Sequence, residues 1–199
     1  MGSADQDKPG STPAATLEHF QSIPWCRPHL ADPTFRRVSM SRTLTQPGHG
    51  HSLMAETWNT DKTITHLLSM YRPPGPEGES ANGQTTAMRG EVKRFYTFGI
   101  GMNAHPATLH GGVIATVLDS TMGNVIGQQL RHGSAPTFTV ALNISYKKPV
   151  ATPGTVMARA WITKVDGDRK IWVHGVVEDG RGNVHAEADG MWLRAKAKL

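Results

Sequence analysis

From residue 113 to residue 125 the positions Val113, Ile114, Val117, Leu118, Thr121 and Val125 recur at three- and four-residue spacing, which lays one buried stripe along a helix. Asp119 stands off that stripe. At about 100° per residue it shares a narrow side with Gly112, Ala115, Thr116 and Gly123, where small side chains let a ligand or another chain press close. The helix is expected to end near Arg131, with Gly133 as its terminator. Beyond it the period changes. Thr137 to Tyr146, Thr155 to Val165, Lys170 to Val177 and Val184 to Leu193 are rich in β-branched and aromatic residues. Turn signals at Pro153-Gly154, Asp166-Gly167-Asp168 and Gly180-Arg-Gly182 separate them, so four antiparallel strands are predicted. Glu91 to Gly99 reads as a strand before the helix. In the last strand Val184, Ala186, Ala188, Gly190 and Trp192 share a face of mostly small side chains, which suits a sheet drawn closely around a helix.

The first ninety residues carry weaker patterns. Residues 1–15 hold Gly, Pro, Ser and Asp with little apolar content and are expected to be disordered. Leu17, Phe20, Ile23 and Trp25 ahead of Pro28 predict a short helix or turn covering an edge of the core. Thr60-Asp61 offers a helix cap, and Ile64, Leu67, Leu68 and Tyr71 follow at helical spacing before Pro73-Pro74, which predicts an accessory helix. Residues 73–90, rich in Pro, Gly, Glu and Ser, read as a loop. The chain thus divides into a disordered start (1–15), an accessory segment (16–90), a main domain (91–194) and a tail (195–199).

Composition narrows the class. The 199 residues include a single cysteine, Cys26, so no intrachain disulfide is possible and a reducing compartment is expected. The longest uncharged run, from Arg94 to Asp119, is interrupted by Asn103, His105, Pro106, His110 and several glycines, and does not read as a membrane span. A net charge of +5 suits an anionic small molecule; the charge is scattered, with no basic helix or stacking motif, which argues against nucleic acid. His49 and His51 flank a glycine with no Cys or acidic companion, and no metal site is assigned there. No cofactor is expected. The C-terminal Ala197-Lys198-Leu199 is a close variant of the Ser-Lys-Leu peroxisomal address, an expectation that applies if the source is eukaryotic; otherwise a cytoplasmic location is expected.

The chemistry gathers at the start of the helix. His110-Gly111-Gly112 forms a turn whose backbone a ligand can approach closely. The first amides of the helix lack intrahelical partners and lie at its positive end, suited to an oxygen gaining negative charge. With Asp119 two turns on, this segment resembles the catalytic helix of the hotdog-fold acyl-CoA thioesterases of the PaaI and human thioesterase superfamily type. The run Thr139-Val-Ala-Leu-Asn-Ile-Ser-Tyr-Lys-Lys-Pro149 is similar to the strand that follows, most closely in members four and five of the human superfamily. The resemblance covers roughly residues 90–194.

It implies an α+β fold, an antiparallel sheet wrapped around one long central helix, and hydrolysis of an acyl-CoA thioester. On that resemblance the Gly111 amide, with Gly112 beside it, binds the thioester oxygen, Asp119 is general base or nucleophile, and His110 positions the turn. Asn103 corresponds to a carbonyl-binding Asn, although it stands seven residues before His110, one more than the closest pattern. Thr139 matches a strand threonine that assists the acidic residue, yet strict alternation places it opposite Phe138, Val140, Leu142 and Ile144. Lys147 and Lys148 at a strand end, and Arg169 and Lys170 in a hairpin, are candidates for the CoA phosphates. A hotdog hydratase or dehydratase and a non-catalytic acyl-binding module are the alternatives. Gly111 and Asp119 differ by about 12 Å along one helix, so one chain does not easily supply both groups to one carbonyl, and a homodimer or dimer of dimers with shared sites is expected.

Overall fold

The computed structural model describes residues 13–38, 42–75, 89–130, 135–167 and 169–195. Gly133 and the terminal Ala197-Lys198-Leu199 lie outside the described residues, as do residues 1–12 of the expected disordered start; Pro13 to Ala15 already belong to a helix. In chain order the elements are α1 (Pro13–Ser22), α2 (Cys26–Leu30), β1 (Arg36–Arg37), β2 (Ile64–Arg72), β3 (Glu91–Phe98), β4 (Asn103–His105), β5 (Thr108–Leu109), α3 (Gly111–Gln129), β6 (Thr137–Tyr146), β7 (Gly154–Asp166), β8 (Lys170–Glu178) and β9 (Val184–Arg194). A one-turn π-helix covers Leu53–Thr57.

Seven strands form one antiparallel sheet in the order β1-β2-β3-β7-β8-β9-β6. The sheet wraps α3, whose buried positions Val113, Ile114, Val117, Leu118, Thr121, Met122, Val125 and Ile126 extend the predicted stripe. They pack on Tyr96 and Phe98 of β3, Val156, Ala158 and Ala160 of β7, and Ala186, Ala188 and Trp192 of β9. Helix and sheet come close because β8 and β9 present glycines: a Cβ on Gly175 would meet Met122 of α3 at 2.9 Å, and one on Gly190 would meet the same side chain at 3.1 Å. The four strands expected after the helix match their predicted ranges to within one residue at each end.

The expected helix over Ile64 to Tyr71 is instead β2, paired with β3 from Ile64↔Phe98 to Arg72↔Glu91. The sheet therefore continues across residue 90. The Thr60 hydroxyl, read as a helix cap, accepts from the amides of Lys62 and Thr63 and closes a turn leading into the strand. The short helix expected around Phe20 is present as α1, and with α2 it covers the outer face of the sheet. Phe20, Cys26 and Phe35 pack on Leu68 and Met70 of β2, Phe95 of β3 and Met157 of β7, with Ile23, Trp25 and Leu30 around them. Burial pushes the Cys26 thiol up to about 12, so it stays protonated and unreactive at neutral pH.

Candidate active site

The turn before α3 is tied down on both sides. The His110 amide donates to the Met102 carbonyl at 2.9 Å, and the Leu109 amide to Val150 at 2.9 Å. His110 is the N-cap residue, and its Nδ1 accepts from the Gly112 amide at 2.8 Å, which places the ring proton on Nε2. The Gly112 amide is thereby engaged. Among the described residues the Gly111 amide has no hydrogen-bond acceptor, while the Gly111 carbonyl accepts from the Tyr146 hydroxyl at 3.1 Å. A Cβ on Gly111 would meet only the Tyr146 ring, at 3.6 Å.

Asp119, two turns along, accepts a hydrogen bond at Oδ1 from the Thr139 hydroxyl at 2.8 Å. Strict alternation argued against this contact, and the backbone explains it. The β6–β9 register shifts between Thr139 and Ala141, opposite Trp192 and Met191, so Val140 is one extra residue in the strand. Such a bulge inverts the alternation. Thr139 then shares the helix-facing side with Leu142 and Ile144, which pack against the core, while Phe138 and Val140 are exposed.

Beside Asp119 a cavity of about 770 Å³ runs along α3 from Thr116 to Gln128. Thr139 and Trp192 wall one side, and Thr43, Thr45, His51, Leu53 and Met54 the other. The contribution of residues 43–54 was missed from the sequence, because nothing in a Thr- and His-rich loop shows which element it will face. Below Asp119 the buried Arg94 donates from Nη1 to the Ser120 hydroxyl at 2.8 Å and to the Ser120 carbonyl at 3.2 Å. No pattern had singled out that arginine.

Asn103 does not point along the helix end in isolation; its Oδ1 accepts from the Thr152 hydroxyl, which leaves its amide N–H groups as donors. Lys147 and Lys148 sit beside Gly111 and Tyr146 in a second, shallower depression. Lys147 pairs with Glu187 at 2.8 Å, and Lys148 bonds Asn183. Arg169 bonds the Arg194 carbonyl at 3.3 Å, next to Thr137 at the other end of β6. At about 3.3 Å per residue the ten-residue β6 keeps the two basic pairs apart within one chain. The described histidine–carboxylate pairs, His174–Asp189 at 2.8 Å and His185–Asp179 at 3.7 Å, lie on β8, β9 and their connecting turn, away from α3, where a hydratase would need one.

An antiparallel sheet wrapped around one long helix defines a fold class, and the comparisons agree with that fold. Residues 107–184 match the thioesterase superfamily. Rat acyl-coenzyme A thioesterase THEM4 is 28% identical over 97 residues, which are 48% of this chain and 40% of the rat protein. Verlamelin biosynthesis protein B from a Lecanicillium species is 23% identical over 171 residues, 73% of each chain. Among solved structures, zebrafish thioesterase superfamily member 2 superposes with a TM-score of 0.56 at 16% identity, covering 78% of this chain and 93% of that one. The chain has the hotdog fold, and its residues 107–184 resemble the thioesterase superfamily. It spans less than half the length of the rat relative it matches. No described helix is long and apolar enough to cross a membrane.

Proposed function

We propose that the protein hydrolyses an acyl-CoA thioester to a carboxylic acid and CoA, at sites shared between two copies of the chain. The observation that carries this reading is the Thr139–Asp119 hydrogen bond on the wall of the cavity: one carboxylate oxygen is held, and the other is left to act. In the general-base form, Asp119 takes a proton from water as the water oxygen attacks the thioester carbon. The carbonyl electrons move onto its oxygen, facing the Gly111 amide, then return as the carbon–sulfur bond breaks, and the leaving thiolate takes up a proton. In the nucleophilic form, Asp119 attacks the carbonyl itself, the carbon–sulfur bond breaks and the CoA thiolate leaves and takes up a proton; water then opens the mixed anhydride, giving the carboxylic acid and restoring the Asp119 carboxylate.

The second copy is required by reach. Gly111 and Asp119 lie about 12 Å apart along α3, whereas a carbonyl oxygen and the atom attacking its carbon must each lie about 3 Å from their protein groups. Two antiparallel helices related by a two-fold axis place Asp119 of one chain beside Gly111 of the other. β6 stands at the edge of the sheet, where its open backbone groups suit pairing with a second copy. Lys147 and Lys148, next to Gly111, are then placed for the CoA phosphates.

Thiol release from a panel of acyl-CoAs tests the reaction. Asp119→Asn is expected to lower kcat by about 10³-fold or more with the fold intact, and Thr139→Val by about tenfold, since it removes a positioning hydrogen bond. An Asp119→Asn rate within twofold of wild type would remove Asp119 from the mechanism. For the shared site, Asp119→Asn and Gly111→Leu homodimers should both be inactive while a mixed dimer regains one intact site. Mixtures of confirmed exchange that stay as inactive as the parents would exclude it.

A further inference from the structure

The cavity beside Asp119 is not lined as a chamber for plain hydrocarbon. Among the described residues, Leu53, Met54 and Trp192 are its only large apolar lining residues. The side of α3 that faces it carries Thr116, Ser120, Asn124 and Gln128, a polar row at four-residue spacing that begins beside Asp119 and runs away from the helix start. The members of this row differ in what they have left to offer. Thr116 spends its proton on the Gly112 carbonyl at 3.0 Å. The Ser120 oxygen accepts from the Arg94 guanidinium at 2.8 Å, so its own proton remains to be donated, and the cation behind it strengthens that donor. Asn124 Oδ1 is buried and has no partner among the described residues. A buried carbonyl oxygen without a donor is an unfavourable arrangement that native proteins rarely keep without reason.

Taken with the thioesterase reading, on which this inference rests, we propose that the protein's substrates are acyl-CoAs whose chain carries a hydroxyl group. The hydroxyl would donate to Asn124 Oδ1 and accept from the Ser120 hydroxyl, two complementary bonds that a methylene cannot make. Its position follows from the helix. Asn124 stands five residues beyond Asp119, about 7.5 Å along the axis, which is roughly the length of six carbon–carbon bonds in an extended chain. A hydroxyl on the sixth carbon, whose oxygen lies five carbon–carbon bonds and one carbon–oxygen bond from the carbonyl carbon, therefore meets the row when the carbonyl lies at Asp119. An unsubstituted chain of the same length would bury against Ser120 and Asn124 while leaving both unsatisfied.

The test compares octanoyl-CoA with 6-hydroxyoctanoyl-CoA on the full-length protein, by kcat/KM for thiol release. In parallel, calorimetry measures binding of the two matching analogues with a methylene inserted between sulfur and carbonyl, which cannot be hydrolysed. The hydroxylated member is expected to be favoured at least tenfold in both measurements. Asn124→Leu should remove that preference by weakening the hydroxylated member alone; if its thermal melt shows that it does not fold, Asn124→Ala, which adds no bulk, takes its place. Equal values for the two wild-type pairs, a preference for the plain chain, or binding of neither analogue would overturn the proposal. A tenfold binding preference without any turnover would leave it standing and remove the thioesterase reading instead.

Discussion

The two faces of the sheet are closed by different means. The concave face is sealed by one helix and a continuous apolar contact running from Ile64 of β2 to Trp192 of β9. Among the described residues the convex face is covered only over β2, β3 and β7, by two short helices and a small apolar cluster around Phe20 and Phe95. Charges supplement it there. Glu91 is bridged by Arg72 at 2.8 Å and Arg159 at 3.2 Å, and Arg159 reaches on to Glu178 at 2.9 Å. The His19 ring stacks on His66 with centroids 3.7 Å apart, and His19 bonds the Thr97 hydroxyl at 2.7 Å. All of the proposed chemistry lies with the concave face. Stability and activity should therefore separate by face, which a set of substitutions can test.

The largest effect is expected from removing the residues before Arg89. This takes away β2 and exposes the edge of β3, whose residues are buried almost throughout. The remainder should fail to give a cooperative thermal transition, and a sharp melt near the wild-type temperature would show that residues 13–75 are dispensable. Next come two substitutions of similar thermodynamic weight. Leu118→Ala, fully buried on the concave side beside Asp119, should cost about 3 kcal/mol and lower kcat/KM by tenfold or more as the helix repacks. Phe20→Ala, fully buried on the convex side, should also cost about 3 kcal/mol, yet leave kcat/KM within twofold at a temperature where both variants stay folded. Parallel loss of activity in the Phe20 variant would mean that the two faces are coupled.

The smallest effect is expected from pH. Burial, with the neighbouring His19 and Arg42, lowers the His66 pKa from 6.5 to about 4, and burial lowers that of His19 too. Folding thus favours neutral rings. Their contribution is complete above the unfolded value of 6.5 and declines as the pH falls from there toward about 4. Acidification through that window should accelerate hydrogen exchange in Pro13–Ser22 ahead of Gly111–Gln129, and His66→Gln should flatten the difference. Simultaneous loosening of both helices would assign the acid response to another group.

Much of this architecture can be read in the residues. The stripe on α3 and the strands β6 to β9 follow from period and turn chemistry alone, because each has one wet or small-residue side that keeps the pattern distinct. β2 was misread for a definite reason. Ile64, Leu67, Leu68 and Tyr71 have helical spacing, but this strand is buried on both faces, so no alternation survives to mark it. Two signals favoured a strand: the nine residues end against Pro73-Pro74, and a residue before proline is driven toward extended backbone. Of the site, His110, Gly111 and Asp119 are local to one helix and were legible. The cavity wall from Thr43 to Met54 and the Arg94–Ser120 contact depend on tertiary packing, which no local pattern encodes.

The extra residue at Val140 has an evolutionary consequence. A strand that must hold hydrophobic side chains against a helix and a hydroxyl against a carboxylate has two independent phase requirements, and the bulge is where one is converted into the other. Insertions and deletions in this short stretch are therefore not equivalent to those in the hairpin loops. Pairing the same residues without the bulge would preserve the apolar register from Leu142 onward and the outline of the fold while turning the threonine outward. A homologue aligned without attention to that position would seem to retain the Thr–Asp pair when its chain had already uncoupled it. Descent of the fold and descent of the Thr–Asp contact can then part company at a single codon.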